Sequence, residues 1–197
     1  MYSEIWSWEK CKSKIRTLKG RLGFQETPVL RFLALSLSLE DGRIYDNLRQ
    51  SFSPQIEPSA YCILSGYADA RPMPESTRLV SFAQLRGGRS YQNAFIQRVI
   101  KPTENFLASK TSRLYHAAKL LGGERLGFGD YSVRIYSLPL VPITIILWAK
   151  TPEFPVSANI LFSSSANYCL STEQLAMLGE LTSARLRYAC EVPIARG

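Results

Sequence analysis

Tyr131-Ser132-Val133-Arg134-Ile135-Tyr136-Ser137-Leu138-Pro139-Leu140-Val141-Pro142-Ile143-Thr144-Ile145-Ile146-Leu147-Trp148 is the stretch whose reading decides the fold. Tyr131, Val133 and Ile135 alternate with Ser132 and Arg134, the period of a half-buried strand. Leu138-Pro139-Leu140 breaks that strand, and Pro142 to Trp148 is apolar on both faces. A strand of that kind sits centrally in a sheet and is covered on both sides. The apolar run 138–149 contains Pro139 and Pro142 and is far shorter than the roughly 20 residues that span a bilayer, so it reads as sheet and not as a membrane segment.

Downstream, residues 160–162 form a further short strand. Ser171 with Gln174 three residues on is a capping box, opening a final helix through Leu175, Leu178, Leu181 and Leu186. Upstream, Gly122-Gly123 stops a helix whose apolar face is Leu114, Ala117, Ala118 and Leu121. Tyr91, Phe95, Val99 and Phe106 mark a long helical stretch that bends at Pro102 or restarts there with the proline in its first turn. Residues 81–85 read as a short helical turn ended by Gly87-Gly88, and residues 68–78, with Pro72 and Pro74, as a surface loop. Ile56, Ala60, Ile63, Leu64 and Tyr67 recur at helical spacing.

Leu33, Leu35, Leu37 and Leu39 alternate with small residues as one strand, and Asp41-Gly42 turns the chain so that residues 43–45 return antiparallel. Trp8, Cys11, Ile15, Leu18 and Leu22 then lie on one stripe of an N-terminal helix, with Lys10, Lys14 and Arg21 on the opposite side. Such a basic amphipathic helix either rests on an anionic surface or packs on the domain with its charges in water, and packing is the expectation. The order of elements reads as α+β, one domain over residues 1–197 with a mostly antiparallel sheet and residues 1–27 as the basic N-terminal helix packed on it.

The formal charge of +8 favours acidic partners: a small anionic metabolite, a phosphorylated ligand or nucleic acid. Cys11, Cys62, Cys169 and Cys190 are scattered without CxxC spacing, which points to reduced thiols and a cytoplasmic protein and leaves no linear metal motif. Residues 1–14 lack the basic start and apolar core of a secretory signal, so export is not expected. The single histidine, His116, has no carboxylate or second histidine at helical neighbour spacing and is read as structural or exposed. Gly127-Phe128-Gly129 lacks the third glycine of a dinucleotide loop and leads into a strand, and there is no GxxxxGK[ST] segment.

Two segments cluster polar and aromatic residues in loop-like contexts. Residues 86–93 hold Arg89, Tyr91 and Asn93 at a helix N-terminus, where amides and arginines suit an anion. Residues 148–154, with Trp148 and Glu153, and residues 163–168, with Tyr168, flank the ends of the last strands. Turn chemistry and aromatic packing account for the same residues, so both roles stand at this level.

Leu120 to Gly123, Leu138 to Pro142, Leu147-Trp148, Glu153-Phe154-Pro155, Leu161-Phe162 and Tyr168 follow Val80 to Gly88, Tyr91 and Phe95 in an order that resembles one family. It is a domain of unknown function met mainly in anaerobic bacteria and archaea, and the resemblance runs from about residue 30 to residue 186. The resemblance implies a setting in anaerobic metabolism, beside corrinoid-dependent or one-carbon enzymes, and implies no reaction, cofactor or catalytic residue. Thr151-Pro152 and Ser163 stand where such proteins commonly carry acids. The expectation is a noncatalytic accessory domain that binds a small anion or a protein partner through Arg89, Tyr91, Asn93, Trp148, Glu153 and Tyr168. Its alternatives are an enzyme using Tyr91 or Glu153 as acid or base, and nucleic-acid or surface binding through residues 10–21.

Overall fold

The computed structural model describes residues 5–71 and 76–194. Pro72 and Pro74 of the loop read over residues 68–78, and the first four residues of the leader reading, lie outside them. Among the described residues two antiparallel sheets form where the sequence pattern indicates one. The first is a meander of β1 (Val29–Phe32), β2 (Leu35–Ser38), β3 (Ile44–Asp46) and β4 (Ser51–Phe52). The second joins β5 (Leu79–Ser81), β6 (Glu124–Leu126), β7 (Tyr131–Leu138), β8 (Val141–Trp148) and β9 (Ser157–Ser163) in the order β5-β9-β8-β7-β6. The helices are α1 (Trp8–Ile15), α2 (Glu57–Tyr67), α3 (Gly88–Phe95), α4 (Lys101–Leu107), α5 (Leu114–Leu120) and α6 (Thr172–Glu191). The fold is α+β, and its buried apolar side chains form one contiguous core.

β8 is the central strand that its two-faced apolarity dictates, and Ile143, Thr144, Ile145 and Leu147 are all buried in it. Pro139 and Leu140 turn β7 into β8, and the Leu140 N–H donates to the Tyr67 hydroxyl, which itself donates to the Leu22 carbonyl. β5 covers only the last three residues of β9, so the outer edge of β9 needs another partner near its start. The Glu104 carboxylate supplies it by accepting the Ala158 N–H at 3.0 Å. The sequence reading missed β4, β5 and β6, which are two or three residues long and carry too little alternation to register.

Local backbone chemistry sets the helix ends. Gly122 sits at φ +75°, closing α5 as its double glycine indicated. Ser171 and Gln174 form the expected capping box on α6. At Pro102 the helical stretch restarts: a π-helical turn over Ile96–Ile100 precedes α4, whose first turn holds the proline. A prolyl nitrogen has no hydrogen to give the preceding turn, so the ladder rearranges there. Cys11, Ile15 and Leu18 of the N-terminal stripe are buried, and α1 packs on α2. The helix ends in a 3-10 turn at Arg16–Leu18, so Leu22, expected on the stripe, lies beyond it at φ +49°.

The larger correction concerns the strand expected over Leu33 to Leu39. The chain reverses inside it: β1 ends at Phe32, Leu33 and Ala34 form a two-residue turn at φ +50° and +55°, and β2 starts at Leu35. A left-handed backbone costs about 1–2 kcal/mol per residue bearing a Cβ, so this turn is held from elsewhere. Arg185 of α6, fully buried, donates from Nε to the Leu33 carbonyl at 3.0 Å and from Nη2 to the Ala34 carbonyl at 3.3 Å. The same guanidinium makes two 2.7 Å bonds to the buried Asp46 carboxylate at the end of β3.

Burial pushes the Asp46 carboxyl up, but the Arg185 guanidinium and the Leu48 and Arg49 backbone N–H groups outweigh it and hold the carboxyl below its ordinary value. The pair therefore stabilises the fold above the ordinary carboxylate value near 3.9, and that contribution is lost as pH falls through the lowered one. Asp46→Ala leaves a buried guanidinium uncompensated. It should lower the free energy of unfolding in urea at neutral pH by about 3–5 kcal/mol, with a shallower loss of stability below about pH 4 than the parent shows.

Candidate functional site

Two clefts flank the segment that leads into α3. Ser81 and Gln84 close a capping box around a 3-10 turn at Phe82–Gln84. Gly88 then starts α3 so close to the Phe82 carbonyl that a Cβ there would lie 1.9 Å from its oxygen, which leaves glycine as the residue that fits. This approach stacks Phe82 on Phe95, with ring centroids 4.2 Å apart and planes 2° from parallel, and both rings lean on Phe162 of β9. Three phenylalanines thus fix α3 against the sheet.

The face of α3 and the π turn that carries Tyr91, Ala94, Phe95 and Arg98 looks across a groove toward Glu173, Ala176, Met177, Glu180 and Leu181 of α6. Gln55, Ile56 and Ser59 close the third side, and the groove encloses about 480 Å³. Its floor is apolar and its rim polar, with Arg98 and Glu180 3.7 Å apart in an exposed ion pair. The second cleft, about 320 Å³, lies between residues 80–86 and 164–168 and is lined by Val80, Gln84, Leu85, Arg86, Ser164, Asn167 and Tyr168.

The residues nominated from sequence distribute over these features. Tyr91, 53% exposed, lines the larger groove, and Tyr168, 52% exposed, lines the smaller cleft. Arg89 and Asn93 are exposed on α3 and line neither. Trp148 ends β8 opposite Ser157, and Glu153 is exposed in the loop that follows. Tyr168 follows the other end of β9, and that end, Ser163, lies about 20 Å along the strand from Ser157, so Trp148 and Glu153 do not join Tyr168 in one site. Arg98, Met177 and Glu180 escaped the sequence reading. For Met177 and Glu180 the one signal was the spacing of Glu173, Ala176, Met177 and Glu180, which gives α6 a second face beside its leucine stripe.

Among the described residues no three of His, Cys, Asp and Glu come together to hold a metal ion. His116 is half-buried, and its Nε2 has no hydrogen-bond partner among the described residues. All four cysteines are free and buried. Burial pushes their thiols up, to about 11 for Cys62 and for Cys190. The thiolate is the reactive form, so the folded protein at about pH 8 should be silent toward a thiol reagent, and all four groups should react after denaturation. Rapid reaction of two thiols in the folded state would contradict this placement.

No helix among the described residues is long and apolar enough to cross a membrane. The sequence pattern of the family described as Domain of unknown function (DUF3786) matches residues 34–185. No curated protein and no solved structure matches the chain.

Proposed function

The chain belongs to the DUF3786 family of domains of unknown function, and we propose that it is a noncatalytic binding domain, a cytoplasmic accessory protein of anaerobic metabolism. The observation that carries the reading is the groove between α3 and α6. Its volume of about 480 Å³ falls in the range of small-molecule sites, and so does its makeup, an apolar floor with a few polar groups at the rim. Its ligand is a small metabolite with an apolar body, laid on Phe95, Ala176, Met177 and Leu181 and contacted by the exposed Tyr91.

The binding reading draws support from where a carboxyl raised by burial and the nominated Glu153 lie. A general acid or base needs a shifted carboxyl or imidazole beside the ligand. Glu57, a carboxyl whose value burial leaves raised, lines neither cleft. Of the two groups nominated from sequence as acid or base, Tyr91 lines the groove and Glu153 is exposed in a loop outside both clefts.

A thermal-shift screen of metabolites and cofactors, tetrapyrroles included, tests the proposal. A true ligand at 100 times its Kd stabilises by about 2.7 kcal/mol, a rise in Tm of about 5–10 °C for a domain of this size. Ala94 is exposed on the groove wall, so Ala94→Trp should fill the groove without disturbing the core. It should keep the Tm of the free protein and abolish the rise. A rise that survives Ala94→Trp places the ligand elsewhere and refutes the groove.

A further inference from the structure

The smaller cleft has a chemistry that the groove lacks. The groove's rim carries two glutamates against one arginine, whereas the described residues lining the smaller cleft include one arginine and no carboxylate. Ser164 and Asn167 spend their donors on protein groups, whereas three other polar side chains of the lining keep theirs. Gln84 Oε1 is taken by the Ser81 N–H at 2.8 Å, so its Nε2 is left without a protein partner among the described residues. The Tyr168 hydroxyl and the Arg86 guanidinium likewise have no partner among the described residues, and Tyr168 is 52% exposed.

The backbone of Arg86, by contrast, is pinned on both sides. Its N–H donates to Asn167 Oδ1 at 2.9 Å, and its carbonyl accepts from the Thr172 hydroxyl. Asn167 Nδ2 closes the ring by donating to Thr172 Oγ1 at 3.2 Å. Segments 81 and 86 residues away in the chain thus fix where this arginine starts while leaving its charged end unpaired. Arg86, Gln84 and Tyr168 line an open volume of about 320 Å³. Their side chains carry a guanidinium, an amide N–H and a phenolic hydroxyl, the donor types that bind an oxyanion, and the volume leaves room for the molecule that carries it.

We infer that this cleft is a second binding site, separate from the groove, which takes the phosphate or carboxylate group of a small metabolite between Arg86, Gln84 and Tyr168. Arg86 supplies the charge, and the formal +8 of the chain favours the approach of such a ligand. The ties on Arg86 are made by its main chain, so truncating the side chain leaves the fold in place.

Titrations with inorganic phosphate and, separately, with acetate at constant ionic strength, followed by ¹H–¹⁵N spectra of the full chain, test the site. The parent protein should give saturable shifts at the amides of residues 84–86 and 167–168 with a Kd on the order of millimolar or tighter for one of the two anions, which identifies the group. Arg86→Ala should weaken that binding at least about tenfold and Tyr168→Phe should weaken it less, while Ala94→Trp should bind as the parent does. No saturation in the parent, or equal binding by Arg86→Ala, overturns the inference. Loss in Ala94→Trp equal to that in Arg86→Ala puts the anion in the larger groove and overturns it as well.

Discussion

One buried guanidinium sets the terms for the rest of the molecule. Arg185 joins α6 to the Asp46 carboxylate and to two carbonyls of a turn that its own residues would not choose. Taking a charge out of water costs several kcal/mol even after relaxation. The arrangement is tolerable because four of the five guanidinium hydrogens meet acceptors, two of them on an ionised partner. The opening hairpin of β1 and β2 also buries Leu30, Phe32, Leu35 and Leu37 in the core, and the clasp adds the bonds that fix its turn.

α6 extends the same logic along its length. Gln174 donates to the Cys62 carbonyl of α2, Thr182 shares a hydroxyl bond with Ser137 of β7, and Ser183 shares one with Thr103 of α4. Each of these polar groups reaches a different element, and the buried Thr182 and Ser183 find partners as burial demands. The helix also packs directly on α2, α4 and α5. Both clefts borrow their rigidity from it: one face of α6 walls the larger groove, and Thr172 in its first turn anchors Arg86 beside the smaller.

Much of this was legible in the sequence wherever the cause is local. Two-faced apolarity placed β8 at the centre, Ser171 with Gln174 marked the start of α6, and Gly122 ended α5, because the signal and the structure involve the same few residues. The Leu33-Ala34 turn was illegible for the opposite reason. Its backbone is imposed from Arg185, about 150 residues away, while Leu33 stays buried and so preserves the alternation of a single strand. The candidate site divides in the same way. Tyr91 and Tyr168 stood out as aromatic residues in loop-like contexts, but the walls of the clefts they line come from segments brought together by long-range packing.

Native-state hydrogen exchange on Arg185→Lys tests the central claim most directly, because lysine keeps the charge but lacks the planar fork that spans a carboxylate and two carbonyls. If the guanidinium clasps the first sheet to the body, the Asn47 amide, which donates to the Ala34 carbonyl, and the amides of β1 and β2 should exchange at least about tenfold faster, a loss of about 1.4 kcal/mol, while those of β7, β8 and β9 keep their protection. Equal loss in both sheets, or none in either, would contradict it.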